Sequence, residues 1–297
     1  MYFLSDVDQK KIMSSILPSA RSAGVSEDLR GWSWHKSPLK PMYDERVPMY
    51  SVCSKYCPTA RDVFLDRALK VPPDLNEDVI AGVAVHRAVG TYLNAFLDGQ
   101  EVNFDTWYDE ALQARNVKTV LDPVREKSRL AWDHVAKNCE SQYSNRASEQ
   151  PYASRRDILA TALPFLVEHR ISGELLGLSG LLSVDCYDYL RGAVFDLKVT
   201  NEERDWYRLA PTGYAIVLES VYEVPVDVGC VVYAWFQGGD VRLRRDLFFI
   251  NDDLRSWWVE ERDSKLAIVA QRKDPGIAGK CPEDCIHWKA CRGEPES

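Results

Sequence analysis

Asp185, Asp196 and Lys198 are the residues whose types and spacing point most directly to chemistry. Asp185 closes the run Gly180-Leu-Leu-Ser-Val-Asp185, and after ten intervening residues comes Asp196-Leu-Lys198. Carboxylates at strand spacing hold Mg²⁺ or Mn²⁺, which take oxygen ligands in octahedral geometry. A lysine beside them can orient or deprotonate a water, or stabilise a phosphorane-like transition state. Alone, the D-x-K pattern is short, and the plainer reading is an edge hairpin with solvated charges.

The flanking residues read as the hairpin that positions this group. Leu178 to Tyr187 and Gly192 to Thr200 are rich in Leu, Val, Phe and Tyr, with Asp188-Tyr-Leu-Arg-Gly192 as the turn. A turn near residue 190 sets Asp185 opposite Asp196, and strand period places Asp196 and Lys198 on one face. Upstream, Asp78 to Leu97 reads as a helix, with Val79, Val83, His86, Val89, Leu93 and Phe96 recurring at threes and fours. A lone histidine on such a face is more often core than ligand. His86 becomes a ligand only if the fold brings the hairpin against it.

Phe104 to Arg115 and Lys118 to Tyr143 read as further helices, Ser144 to Pro151 as a polar break, and Ile158 to Leu163 as a short element. Phe165 to Ile171, carrying Glu168 and His169, is a strand candidate. Arg204 to Val221 reads as a helix. Val228 to Phe236 and Val241 to Ile250 form a second hairpin through Gln237-Gly-Gly-Asp240. Asn251 caps a helix reaching about Lys273. This order predicts an α/β core with a central mixed sheet and a helical N-terminal region. Residues 1 to 50 carry a short helix near Asp6 to Leu17, then an irregular arm with Gly31-Trp-Ser-Trp-His35, ordered by packing on the body.

The cysteines form a second group. Cys281, Cys285 and Cys291 sit in a short C-terminal stretch with Gly and Pro. Three thiolates need one more, and Cys57 is the best candidate, with Cys53 second. Pro58 suits the first turn of a helix that would start at Cys57. Soft thiolates select Zn²⁺ or an iron–sulfur cluster, and the spacing leaves both open; His287 can replace a cysteine in a zinc site. Such a site clasps the two ends of the chain, so its loss loosens the domain. Cys139, Cys186 and Cys230 lie in regular elements and read as core.

The 37 basic and 45 acidic residues leave a net charge of −8, which argues against a non-specific nucleic-acid coat and leaves room for a local basic groove. No apolar run approaches the roughly 20 residues that span a bilayer. The start lacks a signal-peptide pattern, so the expectation is a cytoplasmic protein. No G-x-x-x-x-G-K-[ST] phosphate loop is present, which disfavours a helicase–nuclease.

In their order, Cys57, His86, Asp185, Asp196-Leu-Lys198, Tyr214, Cys281, Cys285 and Cys291 resemble the CRISPR-associated RecB-like nucleases, the fourth Cas protein family, and especially its archaeal Csa-type branch. The resemblance spans roughly residues 50 to 292. It implies a PD-(D/E)xK restriction-endonuclease-like core. It also implies a divalent Mg or Mn ion held by His86, Asp185, Asp196 and the Leu197 carbonyl, with Lys198 positioning the attacking water. The family's cluster cysteines fall on Cys57, Cys281, Cys285 and Cys291, and a 4Fe-4S cluster is favoured over 2Fe-2S. Family members are metal-dependent exonucleases, typically on single-stranded DNA. They trim DNA for insertion as CRISPR spacers with the adaptation integrase, and some form rings, so a homo-oligomer is one expectation.

The expected organisation is an arm over 1–50, a helical region over 51–163, a nuclease core over 164–274 and a cluster-binding tail over 275–297. Two departures stand out. The family's Gln four residues before Tyr214 is Ala210 here, with Arg208 or Tyr207 as substitutes, and Pro211 and Gly213 weaken that helix start. The long arm is also outside the pattern. Arg204, Tyr207 and Arg208, with Trp206, are candidate DNA contacts, although an ordinary helix end is the plainer reading. The rival function is a non-catalytic iron–sulfur DNA-binding or scaffold subunit of the adaptation complex.

Overall fold

The computed structural model describes residues 1–113, 122–282 and 284–293. Its centre is a mixed sheet whose spatial order follows the chain: β1 (Phe165–Ile171), β2 (Leu182–Asp188), β3 (Ala193–Lys198), β4 (Val228–Gln237) and β5 (Asp240–Phe249). Adjacent pairs are antiparallel except β3–β4, which are parallel. A parallel pair needs a crossover.

Four helices make the layers: α1 (Glu77–Asp98), α2 (Asp122–Glu149), α3 (Leu209–Tyr222) and α4 (Asp252–Gln271). The β3–β4 crossover is α3. On one side of the sheet α3 and α4 close a core with Val184, Val194, Val231, Ile216 and Trp258. On the other, α1 and α2 close a core with Phe195, Val232, Val89 and Val135. The central strands β3 and β4 are therefore largely buried on both faces, as a sheet covered on both sides requires.

Local chemistry fixes the helix that carries His86. The Asn76 side chain accepts from the Val79 N–H, Glu77 and Asp78 occupy the first turn, and Gly99 ends the helix at φ 71°. Val85, Val89 and Leu93 are its buried stripe, whereas Val79 and Val83 face outward. The predicted face was thus rotated at its N-terminal end.

Other boundaries shift too. The expected polar break after Tyr143 is the last turn of α2, which runs to Glu149. The expected helix ends at 114–115 and 118–121 lie outside the described residues. Cys57 does not start a helix. Cys57 to Ala60 is a turn closed by the Ala60 N–H on the Cys57 carbonyl, and the helix begins at Arg61.

Pro211 sits in the first turn of α3, where a missing N–H costs little. Gly213 has a packing role, because a Cβ there would lie 2.2 Å from Trp258 Nε1 on α4. The arm is largely built into the body. Its helix Asp6–Lys11 continues through Ile12–Ile16 into Leu17–Ala23. Tyr2, Phe3, Ile12 and Ile16 join the α1–α2 core, while Leu39, Val47 and Met49 join the α3–α4 core. No helix among the described residues is long and apolar enough to cross a membrane.

Candidate active site and cysteine cluster

β2 and β3 pair only through Cys186–Phe195, Tyr187–Val194 and Asp188–Ala193. Beyond these the strands part, and Asp185 and Asp196 stand at the fork, one on each strand. There the Leu197 backbone has no β2 partner. Its N–H donates to Asp185 Oδ2 at 2.8 Å, and its carbonyl oxygen lies 2.8 Å from His86 Nε2. Site side chains thus take over the backbone hydrogen bonding that the parted strand gives up.

On the other side of the fork stands Glu168 of β1. The β1–β2 ladder skips Glu168 and Asp185, and Glu168 adopts the left-handed φ of 48°. A non-glycine residue held there costs on the order of 1–3 kcal/mol and persists only where its surroundings fix it. The kink switches faces: Val167 packs in the α1–α2 core, His169 meets Tyr222 at the end of α3, and Glu168 points back at α1. Gly90, one turn beyond His86, leaves the space, since a Cβ there would lie 2.7 Å from Glu168 Cγ. The Ser183 hydroxyl donates to Glu168 Oε2 at 2.7 Å. His86, Glu168 and Asp185 then offer one donor atom each, all within 4.8 Å of one another.

The electrostatics suit a bound cation. His86 Nδ1 lies 3.4 Å from Asp185 Oδ2. Burial works against its charge, but Asp185 outweighs burial and raises the His86 pKa to about 9. Asp185, although buried, is held below the usual carboxylate range mainly by His86. Burial raises Glu168, with Asp185 adding to it. Lys198 Nζ is 2.8 Å from Asp196 Oδ2, an ion-pair distance, yet that oxygen is buried with no hydrogen-bond donor at a usable angle. The two partners accordingly differ. Burial opposes the Lys198 charge but Asp196 holds it above its usual range, whereas burial of Asp196 beats Lys198 and raises its pKa. Three desolvated carboxylates with an orphaned oxygen among them suit a divalent ion with oxygen and imidazole ligands.

The remaining candidates divide. Tyr214 is half-buried on α3 and close enough to Asp185 and Asp196 that burial, then their charges, push its hydroxyl pKa well up. Ala210 is buried in the α3–α4 core. The Tyr207 ring lies under Lys198 Nζ at 5.4 Å and its hydroxyl is 2.7 Å from that of Tyr56, which places Tyr207 beside the lysine. Arg208 is instead clamped by Asp246 at 2.7 Å, and Arg204 by Glu202 at 2.7 Å while stacking on Tyr56. Both guanidiniums thus have carboxylate partners within the fold.

Cys57, Cys281, Cys285 and Cys291 are reduced and half-buried. Burial, then the neighbouring sulfurs of Cys281, Cys291 and Cys57, raise the Cys285 thiol. Each sulfur has a donor nearby. Arg61 reaches Cys291 at 3.1 Å, Arg292 reaches Cys281 at 3.8 Å, the Thr59 hydroxyl lies 3.7 Å from Cys57, and the His287 backbone N–H serves Cys285. Among the described residues no three of these sulfurs come within 4.8 Å of one another. Zinc, at about 2.3 Å from each thiolate, draws its ligands closer than that. His287 pairs at 3.0 Å with Asp66, and Cys53 is buried by α4 near Lys198.

The architecture is that of an α/β protein with His86, Glu168 and Asp185 gathered at a strand fork and, apart from them, the thiols of Cys57, Cys281, Cys285 and Cys291. A sequence profile for the family described as "CRISPR-associated exonuclease Csa1" matches residues 1–294, and the chain belongs to that family. Two similar relatives carry the same description. That from Saccharolobus solfataricus is 28% identical over 275 residues, covering 90% of this chain and 92% of the relative. That from Thermoproteus tenax is 27% identical over 270 residues, covering 91% and 92%. No solved structure matches.

Proposed function

We propose that this nuclease is a Mg- or Mn-dependent exonuclease acting on single-stranded DNA ends, and that it processes DNA for CRISPR spacer acquisition alongside integrase subunits. The observation that carries the reading is the convergence of His86, Glu168 and Asp185 within 4.8 Å beside the Lys198–Asp196 pair. His86, Glu168 and Asp185, with Asp196 and the Leu197 carbonyl adjoining, are the residues that would hold the metal. A bound divalent ion polarises the phosphoryl oxygen and lowers the pKa of water. To serve as a ligand His86 must give up its proton.

The rest belongs to the chain. Lys198, kept cationic by Asp196, donates to the attacking water and to the charge that develops on the phosphoryl oxygens. Water forms the new bond to phosphorus as the bridging oxygen departs. Tyr207 and Tyr214 wall the lysine side of the fork and restrict water there. The expected result is degradation of end-labelled single-stranded DNA with Mn²⁺ and none with excess chelator. An untouched substrate in a cluster-loaded sample overturns the enzyme reading in favour of a non-catalytic DNA-binding subunit.

We also propose a 4Fe-4S cluster on Cys57, Cys281, Cys285 and Cys291. The wide sulfur spacing and a donor toward each sulfur support it, since such donors stabilise cluster thiolates and set potential. Around it the Asp74 N–H donates to the Ile286 carbonyl at 2.8 Å and Arg61 chelates Asp274, so the tail is tied to the segment before α1. The purified protein should be brown with broad visible absorption. Cys285→Ser should bleach it and open residues 274–291 to limited proteolysis. A colourless, zinc-loaded wild type sinks the cluster.

A further inference from the structure

Beside the metal set, on the side away from Lys198, lies an open cleft of about 440 Å³ between α1 and the β1–β2 edge. Glu168 forms its inner wall, and Arg87, Asn94, Arg170 and Ser183 line the rest, with Leu181 at the rim. Leu181 is 67% exposed, an apolar side chain standing free next to polar ones. The kink at Glu168 creates this arrangement: it turns His169 toward α3 and leaves Glu168 and Arg170 on the cleft side of β1. Residues two apart on a strand are about 7 Å apart, so Arg170 stands one short step along the strand from the metal set.

Charge distinguishes this approach from the others. Arg204, Arg208, Arg244 and Arg191 are neutralised by Glu202, Asp246, Glu203 and Asp188. Arg170 is exposed and has no ion pair or side-chain hydrogen bond among the described residues. Arg87 sits close enough to Glu168 to offset part of its charge. A polyanion pays least desolvation where a cation is not already paired, and phosphate contacts supply most sequence-independent affinity.

We infer that the single strand lies in this cleft, with the Arg170 guanidinium on a backbone phosphate next to the scissile one and a base against Leu181. The inference rests on the nuclease reading. It sets the DNA path on the opposite side of the fork from the Arg204–Arg208 segment, the candidate contact the sequence offers. Asn94 and Ser183 add neutral donors that suit a phosphate or sugar without reading sequence.

The test is fluorescence anisotropy of a labelled oligothymidylate against the full chain, with Ca²⁺ in place of Mn²⁺, across a salt series. Arg170→Ala should weaken binding roughly 5- to 10-fold and lower the salt slope by about one. Arg170→Lys should restore most of the slope, and Arg204→Ala should bind as wild type. Metal affinity, read by calorimetry with Mn²⁺ alone, should not change in Arg170→Ala, because Arg170 is no ligand. Equal affinity and slope in wild type and Arg170→Ala, or a loss confined to Arg204→Ala, overturns the path while leaving the nuclease standing. A wild type that neither binds nor cuts single strands overturns both.

Discussion

Lys198→Ala is expected to cut the Mn²⁺-dependent degradation of single-stranded DNA by roughly 10²- to 10⁴-fold while leaving strand affinity near wild type. The size follows from what Lys198 faces. Its side chain is partly buried, and although burial works against the charge it stays cationic because Asp196 is 2.8 Å away. A fixed cation in a desolvated site is worth most where charge develops in the transition state, so the loss belongs in kcat. The substitution leaves Asp196 without its cation. Burial already raises the Asp196 pKa, so that carboxyl can take up a proton and limit the damage to the fold. Single-turnover rates at saturating DNA, with circular dichroism as the folding control, make the measurement. Activity within tenfold of wild type would remove Lys198 from the chemistry.

The same site shows which parts of this architecture are legible in a sequence. The hairpin was legible because its logic is local. Period two fixes that Asp196 and Lys198 share a face, and a turn near residue 190 brings Asp185 opposite Asp196. His86 was half legible: its helix followed from spacing, but its meeting with Leu197 is a contact across 111 residues. Glu168 was not assigned, because its role depends on a left-handed φ and on the space left by Gly90, neither of which has a periodic signature. One clue existed, a glycine at the i+4 position from His86 facing an acidic residue in a strand. For Arg204 and Arg208 the residue types were legible and the partner of Arg208 was not. Type and position suit DNA, but Asp246, on a distant strand, claims Arg208. The cysteines were legible as types and spacings, while the donors toward their sulfurs from Arg61 and Thr59 were not.

The long arm, which lies within the residues the family profile matches, accounts for the other large expected effect. Glu219 lies on α3, five residues past Tyr214, with no solvent exposure. Its Oε1 accepts from Arg30 at 2.7 Å, Arg255 at 2.9 Å and the Val226 N–H at 3.0 Å, and its Oε2 from Arg255 at 2.7 Å and the Gly31 N–H at 2.9 Å. Gly31 itself is pressed on α3, since a Cβ there would lie 2.1 Å from the Ile216 carbonyl oxygen. One carboxylate therefore joins the arm, α3, α4 and the start of β4. Burial works against its charge, but Arg255 prevails and holds Glu219 below the usual carboxylate range. Its contribution is thus fully present above the ordinary glutamate pKa and is lost as acid takes the pH down through the depressed value. Glu219→Ala leaves the fully buried Arg255 without its main counter-charge and should cost about 3–5 kcal/mol. On a total of roughly 5–15 kcal/mol that is a large fraction, and it should lower Tm by about 10 °C. Thermal and urea unfolding of the cluster-loaded chain at pH 7 measure it. The variant's deficit should shrink only as the pH falls below the ordinary glutamate pKa and on through the depressed value, where the wild type loses the same interaction. A cost below about 1 kcal/mol would mean that water replaces the carboxylate, and the arm would then be held by Leu39, Val47 and Met49 rather than by charge.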